Sequence, residues 1–362
     1  MAGTRCPRRT TGVSFGTGLT VPTWHSQSVS ANLVFSTRPL RVQGCRRRPF
    51  AGMVERGTPG YVGGMALASR AFRFGVNMLA VDTTASWRSR ARSVEELGYD
   101  VLLVPDHLGI PSPWPALAVA ATATQRLRVG PFVLNAAFTN PALLARDVAT
   151  VDQLSDGRVE VGLGTGYVRA EFDAAGIEFR SAGRRVDHLA VTVSQVTELL
   201  ADRDHRPRPV QPRVPLLLGG NGDRVLRMAA EHADVVGFTA ARTGPDGDLE
   251  PLSAAGFDER VAFARAAAGE RAPDVEWNLL MQIVEVTDDA TTVAEELIAR
   301  HELSMSAQEF IDLPSVLIGS VSDIAARLVE LRARTGISYL TVLEPALETF
   351  APVISELRAV DA

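Results

Sequence analysis

The feature that most constrains the fold of this 362-residue chain is an alternation of apolar and amphipathic segments that begins near residue 72. Val101–Pro105 is a short, fully apolar segment, which is typical of a strand buried on both faces of a parallel sheet. In Ser86–Leu97 the apolar residues recur at helical spacing, and Gly98 is of the type that commonly follows a helix. Each such pair predicts one β/α unit.

About eight of these units fit into the chain, which is the number that closes a barrel. The predicted strands are Arg73–Met78, Val101–Pro105, Arg128–Leu134, Arg158–Gly162, Leu216–Leu218, Asp234–Phe238, Trp277–Val286 and Ser338–Leu343. Strict alternation predicts a parallel sheet, and eight units predict an α/β fold of the (β/α)8 TIM-barrel type over residues 72–360. Residues 240–256 and 303–316 lack periodicity and are predicted to be insertions in βα loops.

Residues 1–70 have a different composition. They carry ten Arg and one acidic residue, Glu55, a net charge of +9, which leaves −14 for the remainder of a chain whose total is −5. A polar, arginine-rich segment without periodicity is predicted to be a disordered basic leader. Its composition is also typical of a transit peptide. Alternatively the start codon is assigned too early, with Met53 or Met65 as the true start.

Several classes of function are excluded by composition. Both cysteines, Cys6 and Cys45, lie in the leader, so the remainder has no thiol for a disulfide, a zinc–thiolate site or a nucleophile. No HxH or HExxH spacing indicates a metal, and no run of 18 apolar residues indicates a membrane span. The acidic charge of the remainder argues against a nucleic-acid partner. We therefore expect a cytoplasmic protein without bound metal.

Titratable side chains follow two predicted strands at the barrel's carboxyl rim, where chemistry sits in such folds. His107 follows the second strand and is the strongest acid–base candidate, because imidazole titrates near neutrality. Asp106 either orients His107, accepts from a ring N–H, or caps the next turn. Glu344, after the last strand, is either a catalytic acid–base group or a salt-bridge partner. The remaining histidines of the barrel are predicted to be structural and away from the rim: His188, His205, His232 and His301.

Amide and aromatic side chains follow other strands at the same rim. Asn77 comes after the first strand and Asn135 after the third, and either is suited to hydrogen-bond a ring or a substrate. Trp114 is predicted to lie in the loop after the second strand, where it walls the substrate pocket or packs on the protein.

Two glycine-rich segments are predicted to face this rim, and glycine lets the backbone approach a flat ring or a phosphate closely. The first contains Gly164, Thr165, Gly166 and Tyr167, and the second Gly219, Gly220, Asn221 and Gly222. The second leads directly into a predicted helix, whose N-terminus favours an anion. The first does not match a Rossmann fingerprint, and it is not a P-loop either, because the sequence has no Lys.

Three segments together resemble a known family: VLLVPDHL at Val101–Leu108, VGPFVLNAAFTNPALLARDVATVDQLSDGRVEVGLGTGY at Val129–Tyr167, and PLLLGGNGDRVLRMAAEHADVVGF at Pro215–Phe238. The chain resembles the luciferase-like monooxygenase superfamily and, more closely, its coenzyme F420-dependent branch from actinobacteria. The resemblance covers roughly residues 72–345, and it implies an oxidoreductase that moves a hydride between a deazaflavin and a small organic substrate.

The resemblance also implies roles for individual residues. Asp106 and His107 match the pair at the deazaflavin face, and Asn135 matches a ring-contacting position. Phe132 and Val133 match a non-prolyl cis peptide that supports the ring. The two glycine segments match loops that hold the tail and phosphate of the cofactor. A homodimer is implied as well.

The chain departs from the sugar-phosphate dehydrogenases of this branch. They carry a catalytic Glu where Tyr167 stands, and they bind the substrate phosphate with Lys, which is absent here. Two alternatives stay open: a reduced-FMN monooxygenase of the same superfamily, and a non-catalytic barrel that binds a ligand. A basic groove near Arg169 and Arg224 would favour F420, because its tail is long and anionic.

Overall fold

The computed structural model of the chain describes residues 70–243 and 249–361. The predicted leader lies outside these residues, except for Arg70, as do both cysteines. In chain order the strands are β1 Arg73–Asn77, β2 Val101–Val104, β3 Arg128–Pro131, β4 Leu134–Asn135, β5 Val161–Gly164, β6 Leu216–Gly219, β7 Val235–Phe238, β8 Ala241–Thr243, β9 Leu249–Pro251, β10 Glu276–Met281, β11 Ile283–Val286, β12 Val316–Gly319 and β13 Tyr339–Leu343.

The main sheet is parallel and has the order β3-β2-β1-β13-β10-β7-β6-β5-β4. β3 and β4 are two halves of one strand position, separated by a cis peptide bond between Phe132 and Val133. A parallel bridge between Val129 and Val159 joins the third position to the fourth and closes the ring. The sheet is therefore a closed barrel of eight strand positions, which confirms the predicted fold.

Helices alternate with the strands, and most of them cover the outside of the barrel: α1 Thr84–Glu96, α2 Pro113–Ala123, α3 Pro141–Leu154, α4 Arg169–Ala175, α5 Ala182–Ala201, α6 Asp223–His232, α7 Ala254–Ala268, α8 Ala290–Arg300, α9 Ala307–Ile311, α10 Val321–Thr335 and α11 Ala351–Asp361. The predicted helix-start and helix-end residues lie at the helix ends in the structure. Asn140 caps α3 by accepting from the N–H groups of Ala142 and Leu143, and Gly98 follows α1 with φ +88°. None of the helices of residues 70–361 that the structure describes is long and apolar enough to cross a bilayer.

The insertions carry more structure than their sequence predicts. Residues 240–256 contain the antiparallel pair β8–β9, and residues 303–316 contain α9 and the first residue of β12. The predicted strand Trp277–Val286 is not continuous. It ends as a barrel strand at Met281, and β11 pairs instead with β12 in a separate two-stranded sheet. This unit has its own core: Ile283, Ala294, Leu297, Phe310, Leu313, Val316 and Ile318.

The barrel interior divides into an apolar centre and a charged lower end. The centre is filled by a cluster of buried side chains: Val101, Leu103, Phe132, Leu217, Val235, Leu280, Tyr339 and Leu343. At the amino ends of the strands, Arg73 bonds Glu160 and Glu276 and stacks 4.3 Å from the centroid of the Tyr339 ring. This charged network occupies the lower end, and the carboxyl rim is the end at which barrels of this type place their chemistry.

Candidate active site at the carboxyl ends of the strands

His107 lies just after β2, and Nδ1 of its imidazole is 2.8 Å from Oε1 of Glu171 in the first turn of α4. The ring of Tyr167 packs edge-on against the imidazole, with 6.0 Å between the centroids. Both side chains of this contact are largely buried, with exposures of 16% for His107 and 12% for Glu171. His107 is thus fixed on two sides by residues that follow β5.

Glu171 was missed by sequence reasoning. It stands four residues after Tyr167, so a helix beginning between them returns its side chain toward the rim. The sequence signal for Glu171 is an acidic residue one helical turn after a glycine segment. This signal is weak, because acidic residues are common in the first turns of helices.

Among the hydrogen bonds of the described residues, none joins Asp106 to His107. Oδ2 of Asp106 accepts the backbone N–H of Asn135 at 3.0 Å and so ties the end of β2 to β4. Burial raises the pKa of Asp106, although the Asn135 N–H and the interaction with His107 oppose the shift, and the charge of Glu171 adds to it. The interpretation of Asp106 as a structural cap is therefore the one that its hydrogen bond supports.

Asn135 is also engaged by the protein. Only 5% exposed, it accepts from the N–H of Ala137 through Oδ1. Gly166, with φ +66°, lies directly against this amide: a Cβ at position 166 would be 2.4 Å from its Nδ2 and Oδ1. The first glycine segment consequently needs glycine at 166 for packing and for backbone conformation alike.

Several glycines predicted to face a ligand instead accommodate strand three. Gly164 and Gly219 are the last residues of β5 and β6, and a Cβ on either would meet the Val133 side chain at 2.7 and 3.3 Å. The cis peptide at Phe132–Val133 is the one that the resemblance implied. The strand predicted at Arg158–Gly162 is shifted: β5 runs from Val161 to Gly164, so Gly164 belongs to the strand and the loop begins at Thr165.

The second segment ends at an open helix N-terminus. Gly220 packs on Val225, and Asn221 exchanges two hydrogen bonds with Thr239, at 2.9 and 3.0 Å. Gly222 is the N-cap residue of α6, and a Cβ placed on it would have no neighbour within 4 Å. Asp223, the acid of that first turn, pairs with Arg260. The space before α6 therefore suits an anionic group.

A cavity of about 110 Å³ lies beside the first glycine segment, large enough for a few waters or one small anion. Its lining is Ala137, Thr165, Phe172, Ile177, Glu178, Arg180, Arg185 and His188. The structure therefore corrects the placement of His188, which lies beside the rim and contacts the carbonyl of Ala136 at 3.1 Å.

Two arginines, Arg180 and Arg185, line this cavity, and Arg169 shares an aromatic ring with one of them. Arg185 donates to the carbonyl of Gly166 at 3.1 Å, and the guanidinium groups of Arg169 and Arg185 flank the ring of Phe179 at 4.4 and 4.2 Å. Burial, and then the charge of Arg169, lower the pKa of Arg185. A cation held in this way would be stabilised by an anion. Arg224, the other arginine of the predicted basic groove, is instead paired with Asp187 at 2.6 Å.

The three remaining predicted site residues, Glu344, Asn77 and Trp114, lie in different surroundings. Glu344 forms an ion pair with Arg90 and accepts from the N–H of Ala80 at 3.0 Å, which matches the salt-bridge alternative. Asn77 is 2% exposed, and its Oδ1 has no hydrogen-bond partner among the residues described. Trp114 is not in a loop as predicted; it lies in the first turn of α2 and packs against the core under the helices.

The donor set fits a ligand that carries a phosphate or another anionic group. Arg180 and Arg185 line the cavity, and the N-terminus of α6 is open, so the rim offers two places for an anionic group. Residues 64–337 match the family model of luciferase-like monooxygenases. The chain belongs to this family. Its members are oxidoreductases and monooxygenases, and they include F420-dependent reductases and flavin enzymes.

Individual relatives are distant. The chain is 27% identical over 156 residues to a 5,10-methylenetetrahydromethanopterin reductase of Archaeoglobus fulgidus, an alignment that covers 41% of this chain and 47% of that protein. The chain thus spans about half the length of this relative. The F420-dependent tetrahydromethanopterin reductase of Methanopyrus kandleri has a TM-score of 0.62 at 19% identity, over 80% of this chain and 99% of that one. A riboflavin lyase, solved with a modified FMN, has a TM-score of 0.63 at 15% identity, over 81% of this chain and 92% of that one.

Proposed function

We propose that the protein is an F420-dependent oxidoreductase acting on a small organic substrate at the carboxyl rim of the barrel. The observation that carries the proposal is the arginine-lined cavity, whose lining includes Thr165 and Phe172, the chain neighbours of Gly166 and of Glu171. A deazaflavin with a phosphate-bearing, anionic tail would place its charge where these arginines lie.

The residues of the chain would divide the work between binding and proton transfer. Arg180, Arg185 and the N–H groups around Gly222 hold the anionic part. His107 gives a proton to the substrate, or takes one from it. The bound deazaflavin would supply the hydride transfer. Asp106 and Asn135 tie the end of strand three to the end of β2, which would keep this part of the rim in place for the cofactor.

A reduced-FMN monooxygenase is the second candidate, and the size of the cavity supports it. A volume of about 110 Å³ suits one phosphate group, which FMN also carries. The long tail of F420 would need further cations, and Arg224 is available only if its pair with Asp187 opens. A homodimer and a cytoplasmic location stay predictions.

The test is a titration of the purified chain with F420 and with FMN, oxidised and reduced, followed by fluorescence. We expect F420 to bind in the micromolar range or more tightly, and FMN more weakly. Arg185→Gln is expected to weaken F420 binding by about tenfold to hundredfold, because a hydrogen bond to a charged group is worth about 1.5–3 kcal/mol. Arg224→Gln, the matched control at a paired and exposed arginine, is expected to have a smaller effect.

Other outcomes have clear meanings. Tight binding of FMN with weak binding of F420 would move the protein to the monooxygenase candidate. Binding of neither cofactor would refute both, and would leave the non-catalytic barrel. His107→Ala serves as a further control, because it should impair turnover more than it impairs binding.

A further inference from the structure

The position of Glu171 has no explanation in helix capping alone. Glu171 is the third residue of α4, where a glutamate commonly bonds back to the N-cap residue. Here the N-cap residue is Val168, which has no side-chain cap, and the Glu171 carboxylate faces His107 instead, with Oε1 2.8 Å from Nδ1. A side chain that is 12% exposed and gives up this local bond is held by its contact with the imidazole.

We propose that Glu171 is a positioning residue that holds the proton of His107 on Nδ1, so that Nε2 is the nitrogen through which the site exchanges protons. A carboxylate is an acceptor only, so the imidazole nitrogen facing it must be the donor. In the neutral ring the other nitrogen then carries the lone pair. This inference deepens the proposed function and rests on it for the identity of the reaction, but the placement of the proton can be measured without any cofactor.

Tyr167 completes the arrangement by restricting the ring. Its edge-on contact leaves the imidazole little freedom to rotate. Burial, and then the negative charge of Glu171, raise the pKa of Tyr167 to about 12, so the phenol stays protonated near neutral pH. The residue that replaces the expected glutamate at 167 is therefore not a competing base. The carboxylate at this rim comes from one helical turn further along, and it acts through His107.

The second carboxylate near the ring does not take this role. Asp106 contributes a favourable charge toward His107, but its Oδ2 is committed to the N–H of Asn135 at 3.0 Å. Among the hydrogen bonds of the described residues, the one that reaches the His107 ring is that of Glu171.

The experiment is nitrogen NMR of the full chain, labelled at its six histidines, under basic conditions where the rings are neutral. The His107 signals are assigned by their loss in His107→Asn. We expect Nδ1 of the wild type in the range of a protonated ring nitrogen and Nε2 in the range of an unprotonated one. Glu171→Gln, which keeps an acceptor oxygen, should retain this pattern. Glu171→Leu should move His107 toward the opposite tautomer.

Asp173→Asn is the control, because it removes one negative charge from an exposed position of the same helix. It should leave the His107 signals as they are in the wild type. In turnover assays, Glu171→Leu should lower kcat by about a hundredfold, the lower end of what general acid–base catalysis contributes, with little change in KM.

A wild-type ring protonated on Nε2 would overturn the proposal, whether or not any variant folds. So would a Glu171→Leu variant that is folded and keeps the Nδ1 proton. If the tautomer changes as expected but neither F420 nor FMN binds, the positioning role stands, and the proposed function is what fails.

Discussion

Gly166 allows the cost of a single methyl group to be worked out from the structure. An alanine at 166 would sit at φ +66° with its Cβ 2.4 Å from the amide of Asn135. Gly176 has nearly the same backbone, φ +68°, and a Cβ there would meet nothing within 4 Å. Both substitutions carry the same left-handed cost of about 1–2 kcal/mol and the same effect on the unfolded chain, so these contributions cancel between them.

The difference between the two variants isolates the contact with Asn135. That side chain must turn away and lose its bond from the Ala137 N–H, and an unsatisfied buried group costs about 1–3 kcal/mol. We expect Gly166→Ala to unfold at a lower urea concentration than Gly176→Ala, by an amount equivalent to about 1–3 kcal/mol at unchanged m-value. If the two variants agree within about 0.5 kcal/mol, the contact is not as tight as described and the reasoning is refuted.

Three further outcomes can be measured by unfolding experiments. Asp152→Ala should lower the free energy of unfolding by about 2–5 kcal/mol, because this fully buried carboxylate accepts three N–H groups from the segment after α5. The control Asp147→Ala, at a more exposed position, should change it by less than about 0.5 kcal/mol, and equal melting temperatures of the two variants would contradict this. Burial would raise the pKa of Glu95, but three backbone N–H donors and a nearby arginine lower this pKa overall. The ionised Glu95 therefore stabilises the fold at neutral pH, and this stabilisation is lost as the pH falls below the ordinary pKa of a glutamate. The difference in stability between the wild type and Glu95→Gln should shrink between pH about 6 and about 3, and a constant difference would contradict this. Asn140→Ala should lose about 1 kcal/mol while Asn140→Asp loses little, and equal losses would show that the cap is not what holds the start of α3.

The barrel could be predicted from the sequence because its determinants are local. A fully apolar segment of strand length and an amphipathic segment of helix length are visible without knowing what they contact. The same holds for Asn140, whose capping role depends on residues two and three positions away. Eight repetitions of such a pattern leave few ways to bury all the apolar faces at once.

The rest depended on contacts between distant residues. Nothing in Trp277–Val286 marks the break after Met281, because β11 leaves the barrel only to pair with β12, more than thirty residues later. His107 and Glu171 are likewise 64 positions apart, and their contact exists only once the strands are arranged. The sequence indicated the rim residues that directly follow a strand, such as His107, but it did not indicate Glu171, which reaches the rim from a helix.

The seam between the third and fourth strand positions has a consequence for the rim above it. Gly130 and Gly162 face backbone oxygens of the opposite strand, so closely that a Cβ on either would be 2.5 and 2.3 Å from them. His107 follows the second position and Glu171 the fourth, so the width of this seam enters the distance between them. Because neither glycine has a side chain, the two strand positions can lie close together here, and this close approach helps set the distance between His107 and Glu171.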